Sequence, residues 1–124
     1  MKAVAVVALL ALTGVCPARP AQPTPDHWLF SWLMRDGSYR FIVIRETERP
    51  AFLSGFRPSF PGHGNIAQAT AQLRALPAGA VVGWGDAICI GLIYPPKDVM
   101  RPIERFASDH KINLIILPGR CEGH

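Results

Sequence analysis

The sequence predicts a two-layer α/β sandwich, in which a mixed β-sheet carries two helices on one face. Two segments rich in aromatic and β-branched residues, 27–34 and 39–44, flank the Asp36-Gly37 turn, a pattern typical of a β-hairpin. Helical and strand-like segments then alternate as far as residue 117. Because strand–helix–strand connections are right-handed crossovers, this alternation requires at least one parallel strand pair. The predicted order is β-β-α-β-(β)-α-β.

The first helix and the strand after it follow from local signals. Asn65 is a favourable N-cap residue, and apolar residues recur at helical spacing after it. Pro77 and Gly79 end this periodic segment, so the helix is predicted over residues 66–76. Residues 80–84 follow as a short buried strand.

The second helix is predicted over residues 98–110 by an apolar stripe with charged residues between. Pro102 lacks the backbone N–H that a helix interior uses, so the helix begins near Asp98 or kinks at the proline. Residues 112–117 are nearly all apolar. That composition predicts a strand covered on at least one face and favours a central place in the sheet.

Two segments carry mixed signals. Residues 45–64 contain several prolines and glycines, which predicts an irregular loop with one short strand near residues 51–53. Residues 87–94 form an apolar run that fits either a strand or a packed loop, because periodicity does not separate the two.

The chain begins with the pattern of a secretory signal peptide, predicted over residues 1–18. Lys2 precedes an apolar run too short to span a membrane, and small residues lead up to a cleavage point after Ala18. Residues 19–26 are then an extended proline-rich leader, and residues 27–124 form a single small α/β domain. The expected location is periplasmic or secreted.

The cysteines give two further expectations. Cys16 ends a segment similar to a bacterial lipobox, with Val15 where that motif has Gly, Ala or Ser, so lipidation of Cys16 is an alternative to cleavage after Ala18. Otherwise Cys89 and Cys121 remain, and an even number in an oxidising compartment predicts one disulfide. A bridge between them would stabilise the fold by roughly 3–4 kcal/mol. Two free thiols are the alternative.

Charge and motifs exclude several classes of protein. The formal net charge is +4, and removal of Lys2 leaves 12 basic and 9 acidic residues. Basic and acidic side chains are mixed over residues 35–57, which predicts a solvated face rather than a nucleic-acid interface. The spacing of zinc ligands, the dinucleotide fingerprint and the serine-nucleophile motif are all missing from the sequence. We therefore expect no metal, no cofactor and no membrane span after processing, and no pattern indicates an oligomeric state.

A few residues stand where binding or chemistry is plausible. His63 and Asn65 lie at the start of the first predicted helix, where backbone N–H groups attract anions, and Arg57 is near in sequence. They predict a small anion or carboxylate site; the alternative is a glycine-rich turn with an exposed histidine. Asp86 follows a strand, and open α/β sheets bind ligands at the carboxyl ends of strands. Asp86 is therefore a candidate catalytic acid, or else a turn residue.

Aromatic residues alternate along the first strand, as Trp28, Phe30 and Trp32. A strand places alternate side chains on one face, so these three share a face. They form part of the core, or, if exposed, a surface for a protein or a glycan.

By its pattern of elements, the chain over roughly residues 27–118 resembles the periplasmic domain of ExbD/TolR-type proteins. The resemblance lies in the helix over residues 66–76, the strand 81–84 with Asp86 after it, the helix over 98–110 and the apolar strand 112–117. It implies the scaffold and contact with envelope components. That family keeps an uncleaved membrane helix with an acidic residue near its start, whereas the apolar segment at residues 3–15 is short and contains no Asp or Glu. Proton-driven motor function is therefore not implied.

The expected function is that of an exported, non-enzymatic domain. It would bind an envelope protein or a cell-wall component through residues 45–64 or through the edge of the sheet. One alternative is a small periplasmic hydrolase-like enzyme with a site near Asp86, His63 and Arg57. The other is a lipid-anchored binding protein attached through Cys16.

Overall fold

A computed structural model describes residues 23–59 and 62–118. The predicted signal peptide with Cys16, residues 19–22 of the leader, and Cys121 lie outside these residues. The described residues form a mixed four-stranded sheet in the order β2-β1-β3-β4. Its strands are β1 (His27–Leu33), β2 (Tyr39–Arg45), β3 (Val81–Gly85) and β4 (Asn113–Leu117).

The predicted hairpin and parallel pairing are confirmed. β1 and β2 are antiparallel, and the turn between them places Gly37 at a φ of 87°, which favours glycine. β1 pairs with β3 in parallel, and β3 pairs with β4 in parallel. The central position favoured for residues 112–117 is wrong, because β4 lies at the end of the sheet.

Helices cover the sheet mainly on one face, as the two-layer arrangement predicts. Within the described residues the helices are α1 (Arg49–Gly55), α2 (Ile66–Arg74) and α3 (Lys97–Asp109). α2 and α3 bury apolar side chains such as Leu73 and Ile103 against Val82 and Trp84 of β3. α3 continues through Pro102, which lies on its exposed side.

The segment predicted as a loop with a short strand forms a helix instead. Residues 46–48 make a 3-10 turn, and α1 follows it directly. Pro50 lies in the first turn of α1, where its missing N–H costs nothing. Phe52 is 3% exposed and turns towards the sheet. The segment around Phe52 is too short for sequence periodicity to distinguish a helix from a strand.

The undecided segment 87–94 is a packed loop. It contains a 3-10 turn at Ile88–Ile90, and Ala87 and Leu92 exchange backbone hydrogen bonds across that turn. Leu92 is fully buried against the face of the sheet opposite α2 and α3. This loop and α1 together cover the second face.

Two glycines of β3 let large side chains lie directly on the sheet. A Cβ atom at Gly83 would lie 2.9 Å from Cγ of Pro25 and 3.1 Å from Cζ3 of Trp28. A Cβ atom at Gly85 would meet Phe30 and Trp28 at 3.1 Å. The missing Cβ atoms therefore make room for the aromatic side chains of β1 and for the end of the leader.

None of the helices in the described part of the chain is long and apolar enough to cross a membrane.

Replacing Gly83 by alanine tests this close packing. We expect Gly83→Ala to lower the free energy of unfolding by about 1–3 kcal/mol, because the new methyl group overpacks the contact between β3 and Trp28. Urea unfolding followed by tryptophan fluorescence measures the change. Gly55→Ala is the matched control, since a Cβ atom there meets nothing within 4 Å. Equal effects of the two substitutions would contradict the packing described.

Candidate functional site

A continuous row of rings runs across the second face of the sheet. Successive ring centroids in the row lie 4.9–5.8 Å apart. The row consists of Trp28, Phe30, Phe52, Phe56, Trp32 and His63. Phe30 and Trp32 are 2% and 1% exposed, so the aromatic stripe of β1 belongs largely to the core.

The Trp28 end of the row has complete polar partners. The guanidinium of Arg49 lies 5.0 Å from the ring centroid of Trp28, and it donates two hydrogen bonds of 3.0 Å to the carboxylate of Glu46. The indole N–H of Trp28 donates to the same carboxylate. The hydrogen bonds from Arg49, and then that from Trp28, hold the pKa of Glu46 below its usual value. This end therefore has a structural role.

The other end of the row lies at Trp32. Its indole N–H donates to the carbonyl oxygen of Pro58 at 3.2 Å, which fastens the segment after α1 to the hairpin. The ring of His63 packs edge-on against Trp32, at 5.2 Å between centroids and 80° between planes. Arg40 is the cross-strand partner of Trp32 in β2. We refer to Trp32, Arg40 and His63 as the Trp32 corner.

Two buried nitrogen atoms at this corner have no hydrogen-bond partner among the described residues. They are Nε of Arg40 and Nδ1 of His63. A buried polar atom without a partner costs about 1–3 kcal/mol of stability, so folded proteins seldom keep one without a reason. Both atoms belong to neighbours of one side chain, Trp32. The two unpartnered atoms of the Trp32 corner therefore lower the stability of the free protein.

An open groove lies beside the corner. It has a volume of about 420 Å³, and we name it the hairpin groove. Its lining residues come from the hairpin and from the segment after α1: Leu33, Met34, Arg35, Asp36, Pro58 and Ser59. Leu33 is 47% exposed, so the groove offers apolar surface to solvent.

The charge around the hairpin groove is mainly positive. Arg35 lines the groove, and the exposed Arg57 precedes Pro58 at its rim. Asp36 is the acidic residue of the lining, but its carboxylate accepts hydrogen bonds from the backbone N–H and the hydroxyl of Ser38. These hydrogen bonds lower the pKa of Asp36, and the nearby charge of Arg40 lowers it further. The Asp36 carboxylate is thus already engaged within the turn.

The predicted anion-site residues divide between two places. His63 lies in the Trp32 corner and Arg57 at the adjacent rim. Asn65 has a structural role instead: its side-chain oxygen accepts from the N–H of Gln68 at 3.0 Å, while Gln68 accepts from the N–H of Asn65 at 2.8 Å. This reciprocal pair is a capping box at the start of α2.

The sequence reasoning missed Arg40, although a signal was present. Arg40 alternates with Ile42 and Ile44 along β2, so it occupies the face of the strand that those apolar residues bury. A charged residue at an inward position of a strand is a departure from the usual pattern and marks a functional candidate. Its neighbour Trp32 comes from another strand, which sequence spacing alone does not reveal.

Asp86 lies in a different environment from His63. It follows β3 beside Tyr94, whose hydroxyl donates to the carbonyl oxygen of Trp84 at 3.1 Å. Burial and, to a smaller degree, the charge of Asp86 raise the pKa of Tyr94 to about 12. Tyr94 packs against the core under α2 and α3, whereas His63 contacts Trp32 on the second face.

A satisfied polar chain lies next to Asp86 and Tyr94. The indole N–H of Trp84 donates to the hydroxyl of Ser31 at 3.2 Å, and that hydroxyl donates to the carbonyl oxygen of Ile93 at 2.7 Å. Ser31 is fully buried, yet its side chain has both a donor and an acceptor partner. These two hydrogen bonds connect β1, β3 and the segment before α3. They explain why Ser31 is buried in β1.

No grouping of three or more histidine, cysteine, aspartate or glutamate side chains that would suit a metal ion occurs in residues 23–59 and 62–118. No protein-family model, curated protein or solved structure matches this chain. The resemblance to ExbD/TolR-type periplasmic domains stays a prediction from the pattern of elements.

Replacing His63 by phenylalanine tests whether its buried nitrogen reduces stability. We expect His63→Phe to raise the free energy of unfolding by about 1 kcal/mol, because the ring stays against Trp32 while the unpaired nitrogen is removed. Urea unfolding measures the change. His110→Phe is the control, since Nδ1 of His110 has a partner 3.0 Å away in the carbonyl oxygen of Phe106. A loss of stability in His63→Phe larger than in the control would contradict the assignment.

Proposed function

We propose that the protein is an exported α/β domain that binds an anionic envelope component and carries out no chemistry itself. The site is the Trp32 corner together with the hairpin groove. The observation that carries the proposal is the pair of buried, unpartnered nitrogen atoms of Arg40 and His63 on either side of Trp32. A ligand group that accepts a hydrogen bond from Nε of Arg40, and from Nδ1 of His63 when that nitrogen carries the proton, would recover free energy that the free protein lacks.

The charges of the site define the chemistry of the partner. Arg35 lines the groove, Arg57 precedes Pro58 of the lining, and the charge of Arg40 acts on Asp36. The one lining carboxylate, that of Asp36, is already engaged by Ser38. A guanidinium binds a carboxylate through two parallel hydrogen bonds, which gives both strength and direction. The favoured ligand group is therefore a carboxylate.

The shape of the site narrows the partner further. Leu33 and Met34 provide apolar surface next to the arginines, and a volume of about 420 Å³ holds a short peptide segment rather than a folded surface. We therefore propose a peptide segment that carries a carboxylate next to an apolar side chain. Such segments occur in acidic envelope proteins and in the peptides of the cell wall.

The contacts of Asp86 support binding over hydrolysis. A hydrolase-like site requires Asp86 and His63 to act on one substrate. Their neighbours, Tyr94 and Trp32, belong to the cores on opposite faces of the sheet. Asp86 fits a role at the end of β3, and His63 fits a role in the binding site.

A binding measurement with a soluble acidic peptide tests the proposed function. The probe is a short synthetic peptide rich in Glu with interspersed Leu, and its partner peptide has Gln in place of Glu. We expect the acidic peptide alone to bind, with an affinity that falls as salt is raised. The double substitution Arg40→Gln and Arg57→Gln should weaken binding at least about tenfold. Titration calorimetry or fluorescence anisotropy measures this.

The control variant is Arg105→Gln, which removes an exposed arginine of α3 away from the groove. It should leave the affinity unchanged. Equal binding of the Gln peptide, or an equal loss in Arg105→Gln, would refute the proposed site. Co-sedimentation with purified peptidoglycan then separates the two sources of the ligand: binding to the sacculi identifies a cell-wall component, and binding to the free peptide alone identifies a protein.

Export and the disulfide belong to the same proposal. Cys89 lies in an exposed turn after β3, and Cys121 lies outside the described residues. Gly85 and Leu117 are register partners at the ends of two parallel strands. Each cysteine follows one of these two partners by four residues in the sequence. This spacing supports a bond between Cys89 and Cys121 in an oxidising compartment.

The intact mass of the protein recovered from its own envelope fraction tests export and the bridge together. We expect a chain that begins at Arg19 and gains about two mass units on reduction. Cys89→Ser should lower the free energy of unfolding by about 3–4 kcal/mol. Cys16→Ser should change neither quantity, because the predicted signal peptide that contains Cys16 is removed. A lipid-bearing species that Cys16→Ser abolishes would instead establish the anchored form.

A further inference from the structure

The outer edge of β4 carries a sequence suited to the interior of a sheet. β4 reads Asn-Leu-Ile-Ile-Leu, without a charged residue, a proline or a glycine. It pairs with β3 on one side and ends the sheet on the other, so no strand of the described residues lies beyond it. Exposed apolar edges invite pairing with another strand, and proteins usually block them.

The opposite edge of the same sheet is blocked. Phe41 of β2 exchanges two backbone hydrogen bonds with Gly64, of 2.8 and 2.9 Å. The next outward N–H, that of Val43, donates to the side chain of Gln72 at 3.2 Å. The charged Arg45 ends this strand. The fold therefore protects β2, whereas no described residue protects the outer side of β4.

The hydrogen bonding at the start of β4 shows which of its backbone N–H and C=O groups face outward. The N–H of Asn113 donates to the carbonyl oxygen of Ala80, on the inner side. Because successive peptide groups of a strand point in alternate directions, the N–H and C=O groups of Leu114 and Ile116 face the open edge. Ile116 is 39% exposed, and it is the large apolar side chain of β4 most available to a neighbour.

We propose that β4 pairs with β4 of a second copy of this chain. The two strands run antiparallel about a two-fold axis at Ile115, and the two four-stranded sheets become one. In this register Leu114 lies opposite the partner's Ile116, and their outward N–H and C=O groups form mutual hydrogen bonds. Ile115 lies opposite its own copy as a non-hydrogen-bonded pair. The inward N–H of Asn113 leaves the backbone groups of Leu114 and Ile116 facing outward, and these are the groups that this axis requires.

The charges favour a second copy as the occupant. Residues 112–118 include no charged side chain, so two copies of β4 meet without repulsion. The β2 edge, by contrast, contains the charged residues Arg40 and Arg45. Leu114, Ile115 and Ile116 each lie opposite an apolar side chain of the copy, and Leu117 lies opposite Asn113 at the end of the strand. The edge is therefore complementary to itself.

The mass in solution tests the dimer. The protein is expressed from its full coding sequence and studied as the cell processes it, by analytical ultracentrifugation over a range of concentrations. We expect twice the mass of the chain at high concentration. Ile116→Lys should raise the dissociation constant at least about tenfold, because an edge lysine blocks strand pairing. Ile88→Lys is the control: Ile88 is 68% exposed and lies outside β4, so this variant should dimerise normally.

Cross-linking tests the register and does not depend on the lysine variant folding well. At the proposed axis the two Ile115 Cα atoms lie about 4.5 Å apart, within the range of a disulfide. The two Asn113 Cα atoms lie four residues of register apart, about 13 Å. Under mild oxidation we therefore expect Ile115→Cys to give a covalent dimer and Asn113→Cys to give none beyond the wild-type level.

Several results would overturn the proposal. They are a single-chain mass at every concentration, a dimer unaffected by Ile116→Lys, and equal cross-linking at residues 113 and 115. A chain that stays monomeric and captures a strand of another protein would also overturn it. The dimer and the carboxylate site lie at different edges of the sheet, so either can fail without the other.

Discussion

The contact between the aromatic residues of β1 and the glycine backbone of β3 supports the whole second face of the sheet. Trp28 lies 3.1 Å from the position that a Cβ atom of Gly83 would take, and both Trp28 and Phe30 lie 3.1 Å from that of Gly85. In this position the ring of Phe30 stacks on the ring of Phe52, and Phe52 packs α1 against the sheet. The row continues to Trp32, whose indole N–H fixes Pro58 and so one wall of the hairpin groove. The geometry of the proposed site thus depends on two residues that lack side chains.

The two faces of the sheet treat buried polar groups differently. Under α2 and α3, the indole N–H of Trp84 and the hydroxyl of Ser31 form a chain in which each donor has an acceptor. On the other face, Arg40 and His63 each bury a nitrogen atom without a partner among the described residues. This contrast between the two faces supports the proposal that a ligand pairs with these atoms.

The two edges of the sheet also differ, so that the proposed binding site and the proposed dimer contact lie at opposite edges. β2 carries the hairpin groove near its turn and is protected along its edge, whereas β4 ends the sheet with an apolar strand. A dimer formed through β4 would place the two hairpin grooves towards the outer ends of one long sheet. Two carboxylate sites on one particle would raise the apparent affinity for a repetitive envelope surface through effective concentration.

Local patterns in the sequence determined the hairpin, the capping box at Asn65 and the extent of α3, because these depend on turn chemistry, side-chain reach and periodicity among near neighbours. Only the tertiary structure decided that β4 lies at an edge, that residues 49–55 form a helix, and that Arg40 meets Trp32 and His63. An apolar run reads alike in a central strand and at an open edge, since composition records burial and not which neighbour supplies it. The residues of the site come together through strand pairing and packing between distant segments, and sequence spacing carries no direct signal of such contacts.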